Sequence, residues 1–151
     1  MIVDTWDHRI SDIARACSLF INESNYPIDY SDENTQYTLW SMFSDVDTAL
    51  LVNYTDDVFN GFAIVQRTDE FHKQYFGYLS KFYILPERIE TRAALLLMQE
   101  AVDWFDTKCV VSFATATAGI GNDEAFIKLC KKFDYTQTQT GMLVRKQYGQ
   151  I

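Results

Sequence analysis

The chain of 151 residues is poor in the residues that usually punctuate or staple a fold: six glycines, two prolines, three cysteines and two histidines. So few prolines and glycines supply no linker of that composition, and one domain spanning 1–151 is the expected organisation. Its length is enough to bury about 70% of the unfolded surface around a single core. The cysteines, Cys17, Cys109 and Cys130, are odd in number and lack CxxC spacing, and His8 and His72 lie far apart, so no metal set is expected. A reduced, cytoplasmic setting follows. No long apolar run is present either. The best candidate, after Thr91, is broken by Gln99, Glu100 and Asp103, so no membrane partner is expected, and no charged start leading into an apolar run marks a leader. Positive charge is scarce: 13 basic residues against 21 acidic leave a net charge of −8, which disfavours nucleic-acid binding. The carboxylates are spread out and read first as a solubilising surface. G-x-S-x-G, HExxH, P-loop and G-x-G-x-x-G patterns are all missing, which makes the corresponding chemistries poor fits.

What the chain does have is apolar content of 48% with 15% aromatics, the composition of a packed globular protein. "MIVDTW" predicts a short strand, and residues 7–22 predict an amphipathic helix capped by Asp7, with Ile10, Ile13, Ala14, Cys17, Phe20 and Ile21 on one stripe. After an acidic loop around Pro27, a second short helix is expected from about Ser31. "TALLVNYT" and "VFNGFAIVQRT" predict a hairpin across "DD", and "KQYFGYLSKFYIL" a third antiparallel strand. Residues 92–106 carry the longest helical pattern, with Ala94, Leu97, Met98, Ala101, Val102 and Phe105 in register. "CVVSFATATAG" has the composition of a central strand covered on both faces, expected parallel to the third strand through a right-handed crossover. "NDEAFIKLCKKF" predicts another helix capped by Asn122 or Asp123, and the chain closes with an expected terminal hairpin around Gly141.

In "YILPERIETRAALLL", residues 83–97, a strand stops at Pro86 and a helix begins after a turn without glycine. A helix N-terminus offers unpaired N–H groups and partial positive charge to an anion whatever the side chains are. Arg88 and Arg92 would add charge, while Glu90 opposes it and Ile89 and Thr91 add bulk.

This order of elements, with "LPERIETRAALLL" at the end of the third antiparallel strand, resembles the GNAT superfamily of acyl-CoA N-acyltransferases. The resemblance implies an α/β (α+β) fold: a mixed, mostly antiparallel sheet of about seven strands with helices on both faces. It implies a coenzyme site for acetyl-CoA, as co-substrate, made of Phe82, Tyr83 and Ile84 through their main chain and of Arg88, Ile89, Glu90, Thr91, Arg92 and Ala93 at the pyrophosphate turn, with Asn122 matching the family's asparagine. Thr91 stands where the family has glycine and one residue is missing before Arg88, so the turn reads as a weakened cradle. Cys130 occupies the position of the family's proton-donating tyrosine and Asp134 that of a glycine; Cys130 reads first as a small buried residue. "INESNYPIDYS" is similar to a segment of phage-encoded members that walls the acceptor site, which makes Tyr26 and Tyr30 candidate acceptor contacts. The implied activity is acetyl transfer to an amine of a small molecule or protein, in the cytoplasm, or the host cytoplasm if the protein is phage-encoded. The catalytic groups stay unassigned, with Glu23, Asp69, Glu70 and His72 as available proton acceptors. The alternative on the same fold is a catalytically silent binding or structural protein, a phage assembly or virion component. A homo-oligomer and a phage protein partner both stay open.

Overall fold

The computed structural model describes residues 1–24, 28–114 and 123–137. Five strands, β1 (Ile2–Val3), β2 (Thr48–Thr55), β3 (Val58–Thr68), β4 (Phe76–Ile84) and β5 (Val111–Ala114), form one sheet in the order β1-β2-β3-β4-β5. All pairings are antiparallel except β4 with β5, which is parallel as the crossover requires. The fold class agrees with the expectation. Among the described residues the sheet has five strands, against the seven expected; the terminal hairpin, from residue 138 onward, lies outside them, as do Tyr26 and Asn122.

Helices α1 (His8–Glu23) and α2 (Asp32–Met42) cover one face of the sheet; α3 (Ala93–Lys108) and α4 (Asp123–Lys132) cover the other. Local sequence explains where they start. Asp7 accepts from the Arg9 amide at 2.9 Å and Ser31 from the Asn34 amide at 3.2 Å, each satisfying an otherwise orphaned donor. The α1 stripe packs Ile10, Ile13 and Phe20 against Leu50, Val52, Phe62, Ile64 and Tyr83. Opposite, Leu97, Met98, Ala101 and Phe105 of α3 pack on Leu51, Val65, Leu79 and Phe82. Gly77 lets α3 come this close, because a Cβ there would overlap the Phe105 ring.

The β2–β3 hairpin turns at Asp56 and Asp57 with both residues at positive φ (50° and 65°), the geometry of a two-residue turn that usually recruits glycine. One strand departs from its expected environment. Among the described residues β5 pairs only with β4, and Val111 and Phe113 are exposed on the α1 side of the sheet. α1 and α2 sit over β1 to β3 and stop short of it, so β5 is covered on one face and not on two.

Candidate functional site

Two bulges shape the end of the sheet. On β3, Asn53 pairs with Gly61 but Tyr54 with Phe59, so Asn60 is an extra residue; on β4, Ile64 faces Lys81 but Val65 faces Leu79, so Ser80 is extra. The second bulge changes which face each β4 residue meets. Strict alternation from Leu79 would keep Leu79, Lys81 and Tyr83 together; instead Leu79, Phe82 and Ile84 pack toward α3 while Lys81 and Tyr83 lie opposite Ile64 and Phe62 of the α1-side core.

The described pairing between β4 and β5 runs to Leu79 with Ala114, the last described residue of β5, and β4 continues to Ile84. Beyond Leu79, no described strand lies along this edge of β4. The Leu85 amide donates to the Asn60 carbonyl at 2.8 Å, so by the alternation of an antiparallel ladder Tyr83 turns its main chain to Phe62. Phe82 and Ile84 then turn theirs to the open edge. Of the three strand residues named from sequence, those two turn their main-chain groups away from β3.

After β4 a 3-10 turn, Pro86–Arg88, leads to α3. The Arg88 amide donates to Leu85 O at 2.8 Å and the Thr91 amide to Arg88 O at 3.2 Å. The Thr91 hydroxyl donates to Arg88 O at 2.7 Å and accepts from the Ala93 amide at 3.2 Å. Thr91 therefore bonds through both its amide and its hydroxyl inside the turn. Helical bonding resumes with Leu96 to Arg92, and among the described residues no acceptor is bonded to the Ala94 and Leu95 amides. Ile89 is 55% exposed, Glu90 and Arg92 are exposed, and Ala93 is buried.

Arg88 is anchored from below. Its Nε donates to Asn60 Oδ1 at 2.6 Å, while Asn60 Nδ2 donates to Asn53 Oδ1 at 2.7 Å and Thr55 Oγ1 at 2.8 Å. Asn60 is fully buried and fully bonded, the condition under which a buried amide is tolerated. Sequence reasoning passed over it, though an asparagine inside an apolar strand run was the visible signal.

On the α1 side, the Tyr83 ring is held edge-on to Phe20 (5.8 Å) and beside Phe62 (6.4 Å), and its hydroxyl donates to Glu23 Oε2 at 3.1 Å. Burial, then the charges of Glu23 and Glu87, push the phenol above its ordinary value and keep it a donor. Glu23, at the end of α1, is itself exposed. The other proton acceptors considered from sequence are elsewhere. Asp69, Glu70 and His72 lie in the β3–β4 turn, on the order of 25 Å down the strand from Ile84. Tyr30 ties helices together, donating to Ala14 O at 3.2 Å and lying 3.1 Å from Asp32 Oδ1, and is a cover for α1. Cys130 is 7% exposed within the α3–α4 core, where burial pushes its thiol up to about 11. Asp134 holds a positive φ of 67°, a conformation that glycine adopts freely.

Comparison with solved structures decides the architecture. A probable acetyltransferase superposes with a TM-score of 0.73 at 15% identity over 97% of this chain and 99% of that one. The chain has the GNAT fold. Other structures with this GNAT fold include AAC(6')-Iy in complex with the bisubstrate analogue CoA-S-monomethyl-acetylneamine (TM-score 0.75, 14% identity, 97% of each chain). Aminoglycoside 6'-N-acetyltransferase AAC(6')-IG from Acinetobacter haemolyticus is another (0.70, 14%, 97% of this chain and 98% of that one). No family model and no curated protein matches the sequence. Among the described residues no helix is long and apolar enough to cross a membrane, and no cluster of metal-ligating side chains is present.

Proposed function

We propose that the protein is a single-domain N-acetyltransferase that moves an acetyl group from acetyl-CoA to an amine. The observation that carries this reading is the edge of β4: past the Leu79–Ala114 pair no described strand lies along it, Phe82 and Ile84 turn their main chain to it, and the strand leads through the Pro86–Arg88 turn to α3, whose Ala94 and Leu95 amides have no acceptor among the described residues. These groups fit the coenzyme, with main-chain partners for the pantetheine and N–H donors for the pyrophosphate at the positive end of a 16-residue helix. Acetyl-CoA supplies an activated thioester, whose carbonyl carbon gains the C–N bond as the C–S bond breaks and CoA leaves as thiolate. The main chain of β4 orients the carbonyl and supplies donors toward its oxygen. Glu23, aimed by the Tyr83 hydroxyl, accepts the proton of the incoming amine directly or through one water. Cys130, at the position where the resemblance has a proton donor, is in the core.

The second reading, a silent binding protein on the same fold, is favoured by the engagement of Thr91 and by Arg88 reaching Asn60. Thermal shift and calorimetry with acetyl-CoA separate the two. Coenzyme at a hundred times its dissociation constant should stabilise the fold by about 2.7 kcal/mol. No shift at millimolar coenzyme would leave the silent reading. Binding that survives an Arg88→Glu, Arg92→Glu double change would put the coenzyme elsewhere.

A further inference from the structure

We infer that the protein carries a separate site, where the start of α1 meets α2, for a small alkylated ammonium ion of the choline class. An open cavity of about 620 Å³ lies there, lined by Trp6, just before α1, and by Gln36, Tyr37 and Trp40 of α2. Its volume is that of a small-ligand site. Trp6 leans on Trp40 with ring centres 5.9 Å apart and meets Phe43 edge-on at 6.4 Å, so the two indoles form one wall. These contacts also clasp the chain before α1 to the end of α2. Tyr37 takes no part in the clasp: among the described residues its ring touches no other ring and its hydroxyl has no hydrogen-bond partner. Trp6, Tyr37 and Trp40 are 50%, 77% and 65% exposed, and large apolar faces clustered in water mark a contact site.

Charge decides what the rings hold. From residue 16 to residue 66 the chain has no lysine, arginine or histidine. Gln36 donates to Asp32 at 2.7 Å, which sets that carboxylate beside a lining residue, and Glu33 lies on the same helical face, four residues before Tyr37. Neither carboxylate forms an ion pair among the described residues. The arginine nearest Trp6 in sequence, Arg9, is held by Asp7 at 2.6 Å. Indole and phenol faces attract a cation, and quaternary ammonium groups are the guests such rings recognise. A neutral apolar guest gains nothing from Asp32 and Glu33, and one with its own phosphate or carboxylate is repelled by them. A second copy of the chain would bring the same carboxylates against each other. Trp6 and Glu23 stand at opposite ends of α1, whose 16 residues span about 24 Å, so a guest here is remote from the Glu23 carboxylate and needs no acetyl-CoA.

The experiment titrates the full chain with choline, following saturation transfer to its N-methyl protons. The comparison ligands are neohexanol, its neutral carbon isostere, and phosphocholine and glycine betaine, which add an anion. The expected result is saturable choline binding in the millimolar range, with all three comparison ligands weaker. Tyr37→Ala and Trp40→Ala should each weaken choline by about fivefold or more. The Asp32→Asn, Glu33→Gln double change should bring choline and neohexanol together. Tyr37 has no partner to lose, so its variant keeps the fold, and the urea midpoint verifies this for each protein. Neohexanol binding as tightly as choline overturns the inference, as does phosphocholine or betaine binding more tightly. So does the lack of saturable choline binding at tens of millimolar, or choline binding that is unchanged in Tyr37→Ala.

Discussion

Replacing Asn60 with alanine should be among the most damaging single changes available at a polar position of this chain. The side chain is fully buried and makes two bonds through Nδ2, to Asn53 and Thr55, and one through Oδ1, from the Arg88 guanidinium. A neutral bond contributes about 1 kcal/mol net and one to a charged group about 1.5–3 kcal/mol, so Asn60→Ala should cost roughly 3.5–5 kcal/mol. That is a large part of the 5–15 kcal/mol that typically holds a domain together. Arg88→Ala alone should cost about 1.5–3 kcal/mol, and the double change little more than Asn60→Ala. Urea unfolding followed by tryptophan fluorescence, extrapolated linearly, measures all four proteins. The coupling energy is the decisive quantity. If the two single effects add to within about 0.5 kcal/mol, the Arg88–Asn60 bond is not formed in solution, and the claim that the β3 bulge anchors the turn before α3 fails.

Three further outcomes follow from particular residues. Asp57→Gly should stabilise the hairpin by about 0.5–1 kcal/mol, because Asp57 holds a φ of 65° that glycine adopts freely; a lower urea midpoint would mean that the turn geometry is different. Burial pushes Cys17 up to about 12 and Cys130 up to about 11, so the thiolate fraction of either at pH 8 is about a thousandth or less. Both should resist a thiol reagent when folded and react in urea; rapid native labelling of Cys130 would take it out of the core and reopen it as an acid. Hydrogen bonds from the Arg9 side chain, then its amide, hold Asp7 at about 2 against 3.8. A depressed carboxyl stabilises above its unfolded value, so this contribution is lost as pH falls from about 4 through 2. Asp7→Asn should flatten the loss across that window in urea midpoints, and an unaltered acid limb would refute the assignment.

Much of the fold was legible because it rests on short-range rules. Asp7 and Ser31 announce helix starts through side-chain acceptors, and the runs 48–55 and 58–68 match β2 and β3 residue for residue. The α3 stripe was readable in the same way, since its spacing repeats every turn. β5 was misjudged as covered on both faces because composition reports what a strand tolerates, and not whether a neighbouring helix reaches it.

The site depended on tertiary structure for a sharper reason. Helix caps and apolar periodicities are properties of a few consecutive residues, so the letters alone determined the elements, their order and the helix entrance after Pro86. A bulge depends on how two strands settle against each other, and one extra residue reverses which face all its successors meet. Only the folded sheet could therefore assign Lys81 and Tyr83 to the face of α1, bring Glu23 to Tyr83 across sixty positions, and set Asn60 beneath Arg88.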